Sequence, residues 1–186
     1  MGGVAGYQNN TVSYAGMSSA YKSAYIDLLH GDTYMCTIGR ASGAPAADLV
    51  FEDYLTNVPN VVGSSGSDVV ICDNAVDRIT HGSGAGDVLY AGSGAGSQDT
   101  FVYTGLSQSP LANHDVISGF KVGTDKVDLS ALSMPAADVF LSYGGNGANT
   151  IYVEKHPSSG FNSATDMIIS VQASTHTALG YGDLVL

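Results

Sequence analysis

The chain has 186 residues, of which 44% are hydrophobic, and a net charge of −11. That length and apolar content favour a folded protein with one sizeable core over a disordered polymer. Only six basic residues are present, and they are scattered along the chain, which excludes a phosphate-binding surface for nucleic acid. No apolar run approaches 18 residues, so no membrane span is predicted.

The first segments, from residue 1 to 62, alternate apolar and polar residues, as short strands do. The start, MGGVAGYQNN, lacks the basic and apolar regions of a cleaved N-terminal signal peptide, and we expect none. No segment shows a helical stripe over three turns, so the fold class is predicted to be all-β. We expect one domain over 1–186, with an N-terminal β cap (1–62), repeats (63–102) and a C-terminal β cap (103–186).

Four variants of one short unit follow one another between residues 63 and 102: GSSGSDVVI, CDNAVDRIT, GSGAGDVLY and AGSGAGSQDTFV. Small or glycine-rich residues lead into an aspartate, and an apolar residue comes two positions later. The pairs are Asp68/Val70, Asp77/Ile79, Asp87/Leu89 and Asp99/Phe101. Because side chains alternate along a strand, the apolar member should face the interior and the residue between should face out. One repeat then gives a turn and a strand, and two repeats give one coil of a parallel β-roll.

The composition of these turns suits calcium, which takes six to eight oxygen ligands. Glycines let backbone carbonyls approach an ion, and aspartates add charge. The turn 63–67 should pair with 81–86, and 73–76 with 91–98, because successive turns alternate sides. The predicted ligands are Asp68, Asp87, Asp77 and Asp99, with oxygens from Ser65, Gly66, Gly82, Gly84, Gly94 and Asn74. A metal-free, turn-rich β-structure is the alternative, and His81 is expected to be a surface histidine, since calcium prefers oxygen.

The acidic residues support the metal interpretation. Fifteen of the 17 are aspartates, which suit turns and calcium cages, whereas an acidic helical surface favours glutamate. At a net charge of −11, self-repulsion opposes the compact state until a cation neutralises it. Folding and metal binding should therefore be coupled.

Beyond the repeats, DTFVYTG is followed by a serine-containing loop and by HDVISGFKVGTDKVDLSAL. This region, with the lead-in LTNVPNVVGSSGSD, resembles the C-terminal part of RTX (hemolysin-type calcium-binding repeat) exoproteins, as found in serralysin-type metalloproteases and in the R-modules of mannuronan epimerases. The residues that match the segment capping the roll in those families are Asp115, Ile117, Phe120, Gly123, Asp125, Lys126, Asp128, Leu129, Ser130 and Leu132.

The resemblance implies a parallel β-roll that binds calcium, is exported by a type I secretion apparatus and folds outside the cell. The last residues, 182–186, are similar to the acidic and aliphatic termini that act as uncleaved secretion signals in that class. A plain edge strand over 183–186 is the alternative.

No catalytic set is found: the five histidines are scattered, and neither H-E-x-x-H nor G-x-S-x-G occurs. We expect Cys36 and Cys72 to be free thiols. Two functions remain open. The chain is a noncatalytic calcium-binding folding and secretion module of a larger secreted protein, or it is a calcium-dependent module in which residues 133–186 bind polysaccharide or a cell surface on behalf of an extracellular enzyme or adhesin.

Overall fold

The computed structural model describes residues 10–17, 23–36 and 49–186. The strands are β1 (Thr11–Ser13), β2 (Ser23–Asp27), β3 (Asp32–Cys36), β4 (Leu49–Tyr54), β5 (Asn60–Val62), β6 (Val69–Ile71), β7 (Arg78–Thr80), β8 (Val88–Tyr90), β9 (Thr100–Val102), β10 (Asp115–Phe120), β11 (Lys126–Asp128), β12 (Val139–Gly145), β13 (Ala148–Val153), β14 (Met167–Ala173) and β15 (Leu184–Val185). Short 3-10 helices lie at Leu106–Gln108, Leu111–Asn113, Ser130–Leu132, Ala136–Asp138, Pro157–Ser159 and Tyr181–Asp183. The predicted all-β class is confirmed.

Consecutive strands between β5 and β11 alternate between two sheets. The six-stranded sheet has the order β1-β5-β7-β9-β11-β15, and β6, β8 and β10 lie side by side in the nine-stranded sheet. Neighbours within each of these runs are parallel, and the register places Val61 beside Ile79 and Val70 beside Leu89. Each coil of the chain therefore contributes one short strand to each sheet.

Antiparallel strands flank the parallel run of the nine-stranded sheet. At one end β2 continues it in parallel beside β6, and β3 and β4 then follow antiparallel. At the other end β14 is parallel to β10, and β13 and β12 are antiparallel to it in turn. Strand β15 lies at the edge of the six-stranded sheet beside β11, which agrees with an edge strand at the end of the chain.

The core lies between the two sheets and includes the apolar residues two positions after each repeat aspartate. Val70, Ile79, Leu89 and Phe101 are all completely buried. The residues that stand between each aspartate and its apolar partner are less uniform, since Arg78 is exposed whereas Val69 is buried. The inward side of the repeat was thus predicted correctly, and its outward side only in part. Within the described ranges, no helix has the length and apolarity needed to cross a bilayer.

Candidate metal centre

Six aspartates form two rows, one at the start of each sheet's strands. The first aspartate row consists of Asp68, Asp87 and Asp115, which precede or open β6, β8 and β10. The second aspartate row consists of Asp77, Asp99 and Asp125, which precede β7, β9 and β11. All six side chains are buried, so each row places three carboxylates in successive coils away from water.

Hydrogen bonds connect the members of a row in one direction. The backbone N–H of Asp68 donates to Oδ1 of Asp87 at 2.7 Å, and the N–H of Asp87 donates to Oδ1 of Asp115 at 2.8 Å. In the second row the corresponding distances are 3.2 Å from Asp77 to Asp99 and 3.0 Å from Asp99 to Asp125. Each carboxylate therefore holds the coil before it in register.

The second oxygen of most of these carboxylates closes its own turn. Oδ2 accepts the backbone N–H at the start of the turn in four cases, namely Ser64 to Asp68, Asp73 to Asp77, Gly92 to Asp99 and Lys121 to Asp125. Such bonds stabilise the charged carboxylate and fix its orientation. Asp87 is different, because its Oδ2 lies 2.8 Å from Nδ1 of His81.

The turns stack as the spacing predicts, with 63–67 against 81–86 and 73–76 against 91–98. A Cβ on Gly84 would overlap the backbone of Gly66, and a Cβ on Gly92 would overlap the carbonyl oxygen of Asp73. Gly82 also has a φ of +93°, which side-chain-bearing residues rarely adopt. Glycine is therefore required here for close backbone approach rather than for flexibility.

Burial opposes ionisation of the aspartate rows. Burial, with the nearby charge of Asp87, raises the pKa of Asp68 from 3.8 to about 7. Burial, with Asp73 and Asp99, raises the pKa of Asp77 to about 7 as well. The pKa values of Asp99, Asp115 and Asp125 are also raised, mainly by burial. Without a counter-charge, these carboxylates destabilise the fold whenever they ionise.

A built-in cation accompanies the second row. The ammonium of Lys121 donates to the carbonyl oxygens of Gly94 and Ser97, at 2.9 Å each. Burial raises the pKa of Asp99, and the charge of Lys121 is one of the interactions that offset part of that rise. Within the part of the chain that the structure describes, no lysine or arginine forms an ion pair with the first row. The first row therefore carries the larger unbalanced negative charge.

The expectation that His81 is a surface residue is wrong. Its side chain is completely buried, its ring centroid lies 4.4 Å from that of Tyr103, and its Nδ1 faces Asp87 and Asp115. Burial lowers the pKa of the imidazole, although the charges of Asp115 and Asp68 act against that shift. The two-residue offset that predicts the core does not apply to a residue inside a turn, so this burial could not be predicted from the repeat.

The predicted oxygen ligands other than aspartates occupy varied positions. Gly84 is buried between the stacked turns, whereas Ser65 and Asn74 are exposed. Two of the predicted carbonyls already accept side-chain hydrogen bonds: Gly82 from Gln108 and Gly94 from Lys121. The turns 63–67 and 81–86 lead into Asp68 and Asp87, so the predicted oxygens in these two turns lie beside the first aspartate row.

Sequence reasoning missed the third member of each row. Asp115 follows Asp87 by 28 residues and Asp125 follows Asp99 by 26, far from the spacing of the repeats. The same offset of two was nevertheless present, because Ile117 and Val127 are completely buried. That offset, applied beyond the glycine-rich segment, was the available signal.

Cys72 is a free, buried thiol, as expected, and it hydrogen bonds to Asp77. Burial and four nearby aspartates raise its pKa well above 9.0, so it remains a thiol at neutral pH. The side chain of Cys36 lies outside the described residues.

The donors present fit calcium. Buried carboxylates without a full counter-charge stand beside turns whose glycines bring backbone carbonyls together, and carboxylates and carbonyls are the ligands that calcium prefers. A divalent cation would neutralise two carboxylates of a row at once. The fold and this site define a parallel, aspartate-lined coil with the donor set of a calcium-binding domain.

Comparisons with known proteins identify the family. Residues 51–180 match the family described as Peptidase M10 serralysin C terminal, so the chain belongs to that family. This agrees with the resemblance stated from the sequence.

Similar solved structures include two subunits of the mannuronan C5-epimerase from Azotobacter vinelandii. The solution structure of AlgE6R2 has a TM-score of 0.47 at 22% identity, covering 67% of this chain and 78% of that one. AlgE6R3 has a TM-score of 0.43 at 22% identity, with 68% and 71% covered. No curated protein matches the sequence.

Proposed function

We propose that this chain is a noncatalytic calcium-binding module of a secreted protein, and that it folds fully only when calcium is bound. The two buried aspartate rows carry the proposal. Their raised pKa values mean that a metal-free fold must either protonate these groups or bear their charge. Calcium removes that penalty by binding the ionised carboxylates, so folding follows the calcium concentration by mass action.

In this proposal the two-sheet coil is an RTX-type β-roll, and Asp68, Asp87, Asp77 and Asp99 are its carboxylate ligands. Carbonyls around Gly66 and Gly84 supply further oxygens in the first row. The antiparallel strands at both ends of the nine-stranded sheet act as caps, since they cover the edges of the parallel run. The whole chain, with caps over 1–62 and 103–186, is then one domain.

The proposed setting is extracellular. The serralysin C-terminal family belongs to secreted exoproteins, and millimolar calcium outside the cell suits extracellular calcium modules, which bind with dissociation constants of about 10⁻⁴ to 10⁻³ M. Export by a type I secretion apparatus, with a signal at the C-terminal end, completes the proposal. A chain that is unfolded at low calcium can be threaded through a channel and then fold outside.

A calcium titration followed by far-UV circular dichroism tests the function. We expect weak β signal in metal-free buffer, a gain on adding calcium and a much smaller gain with magnesium, which demands a tighter octahedral site. Asp87→Asn should shift the midpoint to higher calcium. The matched control is Asp138→Asn, which alters an aspartate outside both rows. Identical spectra and melting temperatures with and without calcium would contradict the proposal.

A second candidate function is polysaccharide binding, and an aromatic face on the C-terminal strands favours it. Phe140 on β12 lies opposite Tyr152 on β13 and is 41% exposed, and the ring of Phe161 lies 5.7 Å from that of Tyr152. Exposed aromatic rings can stack on sugars. Binding to a polysaccharide that is lost in Phe140→Ala, but retained in the similarly exposed Leu111→Ala, would support this function.

A further inference from the structure

One turn of the first aspartate row is built differently from the others. In four turns a backbone N–H occupies Oδ2 of the closing aspartate, but at Asp87 that place is taken by the imidazole of His81. His81 Nδ1 lies 2.8 Å from Oδ2 of Asp87 and 3.5 Å from Oδ2 of Asp115. A nitrogen ligand and two carboxylate oxygens therefore converge on one point.

Unpartnered polar atoms mark this point. Asp115 is completely buried, and its Oδ2 has no hydrogen-bond partner among the described residues, although its Oδ1 accepts the N–H groups of Gly86 and Asp87. Nε2 of His81, also buried, lacks a partner within that part of the chain. The buried hydroxyl of Tyr103 lies near Asp115, because burial and then the charge of that carboxylate raise the pKa of Tyr103. A simple His81–Asp87 hydrogen bond leaves Oδ2 of Asp115 unsatisfied, and a buried unsatisfied carboxylate oxygen requires an explanation. A metal ion held by Nδ1 of His81 would give that oxygen a partner.

The distances match the coordination shell of a first-row transition metal. Zinc binds histidine nitrogen at about 2.0–2.1 Å and carboxylate oxygen at about 2.0–2.2 Å, so neighbouring ligands lie about 2.9 Å apart at right angles and about 3.4 Å apart at the tetrahedral angle. The two N···O distances of 2.8 and 3.5 Å fall close to these values. The three ligand groups lie within 4.8 Å of one another and are all buried.

We propose that His81, Asp87 and Asp115 form a second kind of metal site in this protein, selective for zinc or a similar transition-metal ion rather than calcium. Imidazole suits zinc, copper, iron and nickel, whereas calcium prefers oxygen. Two carboxylates and a neutral imidazole carry two negative charges, which a divalent ion balances. The site uses the Oδ2 atoms, while the Oδ1 atoms remain in the row of hydrogen bonds. Asp87 is also one of the carboxylates proposed for calcium, so the two metals would compete for it, and a titration with both metals present separates the two proposals.

The group of Cys72, Asp77 and Asp99 in the second row is less suited to this role. Both oxygens of Asp99 already accept N–H or O–H bonds, and Oδ2 of Asp77 accepts the N–H of Asp73. Its thiol also resists deprotonation. A metal there would have to displace existing bonds.

Cobalt(II) absorption in the visible range tests the site, because cobalt substitutes for zinc and its spectrum reports the ligands. The untagged full chain is titrated in millimolar calcium. We expect one cobalt ion per chain, displaced by zinc but not by further calcium, and no thiolate band. His81→Asn should weaken binding at least about 100-fold, whereas His176→Asn, at an exposed histidine, should not change it.

The folding of His81→Asn is checked by circular dichroism in calcium. If that variant does not fold, the ¹⁵N shifts of the histidine rings in the wild-type chain decide instead. Zinc should move Nδ1 of one buried imidazole and leave the exposed rings unchanged. Displacement of cobalt by calcium, an unchanged spectrum in folded His81→Asn, or no shift of the buried imidazole would each overturn the proposal.

Discussion

The two aspartate rows share one pattern of hydrogen bonds but differ in how their charge is balanced. The second row has the ammonium of Lys121, which holds the carbonyls of Gly94 and Ser97. The first row has only His81, whose imidazole burial keeps neutral. A coil can therefore balance its carboxylates with an internal cation or with a bound one. In the proposed function, the second row has the internal cation and the first row relies on bound calcium.

The largest effect should be a reversal of pH dependence by calcium. Because burial raises the pKa of Asp68 and Asp77 from 3.8 to about 7, the metal-free folded chain holds more protons than the unfolded chain between these values. Its unfolding free energy should fall as the pH rises from 4 to 7. In calcium it should rise instead, since protons compete with the ion. Melting temperatures over this pH range, with and without calcium, check both signs.

Single substitutions can show which aspartate row causes the pH dependence of the unfolding free energy in metal-free buffer. Asp68→Asn should flatten the metal-free pH dependence more than Asp99→Asn, because at Asp99 the charge of Lys121 offsets part of the rise in pKa that burial causes. Equal flattening by both variants would mean that the rows do not differ in charge balance.

The next effect concerns the fit of the turns. A Cβ on Gly84 would overlap the backbone of Gly66, whereas a Cβ on Gly96, in a turn of the second row, meets nothing within 4 Å. Gly84→Ala should lower the unfolding free energy in calcium by about 3 kcal/mol or more, and Gly96→Ala should change it by less than about 1 kcal/mol. Urea denaturation measures both, and similar losses would show that the turns are equally tight.

The third effect is on calcium affinity. Asp87→Asn should weaken binding by about 10- to 100-fold, which corresponds to about 1.4–2.8 kcal/mol. Asp99→Asn should weaken it less, because Lys121 remains as an internal cation beside that carboxylate. Isothermal titration calorimetry compares the two, and a larger loss in Asp99→Asn would reverse the ranking of the rows.

The smallest effect is expected at Lys121. Lys121→Met keeps the length of the side chain but removes the two hydrogen bonds to Gly94 and Ser97. Because the side chain is only half-buried, the change should cost about 0.5–1.5 kcal/mol in metal-free buffer. The cost should shrink in calcium if an ion can take the place of the ammonium. Lys155→Met, in the loop that follows β13, is the control. If the loss of unfolding free energy is the same with and without calcium, Lys121 holds its turn together by hydrogen bonds and does not balance the charge of the row.

The sequence predicted the parts of the fold that depend on local alternation. Val70, Ile79, Leu89 and Phe101 are buried because each stands at a fixed offset from an aspartate on a short strand. The stacking of turns followed from the same repeat. Both properties are set within about ten residues of chain, so they are visible without tertiary information.

The parts of the fold and of the site that the sequence did not predict depend on contacts between distant segments. Lys121 reaches Gly94 across 27 residues, and Asp115 meets Asp87 across 28. The burial of His81 depends on Tyr103 and Asp115, which arrive from later coils. No periodicity in the sequence marks such contacts, so the third member of each row and the internal cation became visible only in the structure.

The hydrogen bonds within each row all point the same way along the chain. The amide of Asp68 is protected by Asp87, and the amide of Asp87 by Asp115. When a later coil opens, an amide of the coil before it therefore loses its acceptor, and the return bond from the N–H of Val88 to the carbonyl of Asp68 is lost with it. In native-state hydrogen exchange, the amide of Asp87 should then exchange no faster than that of Asp68.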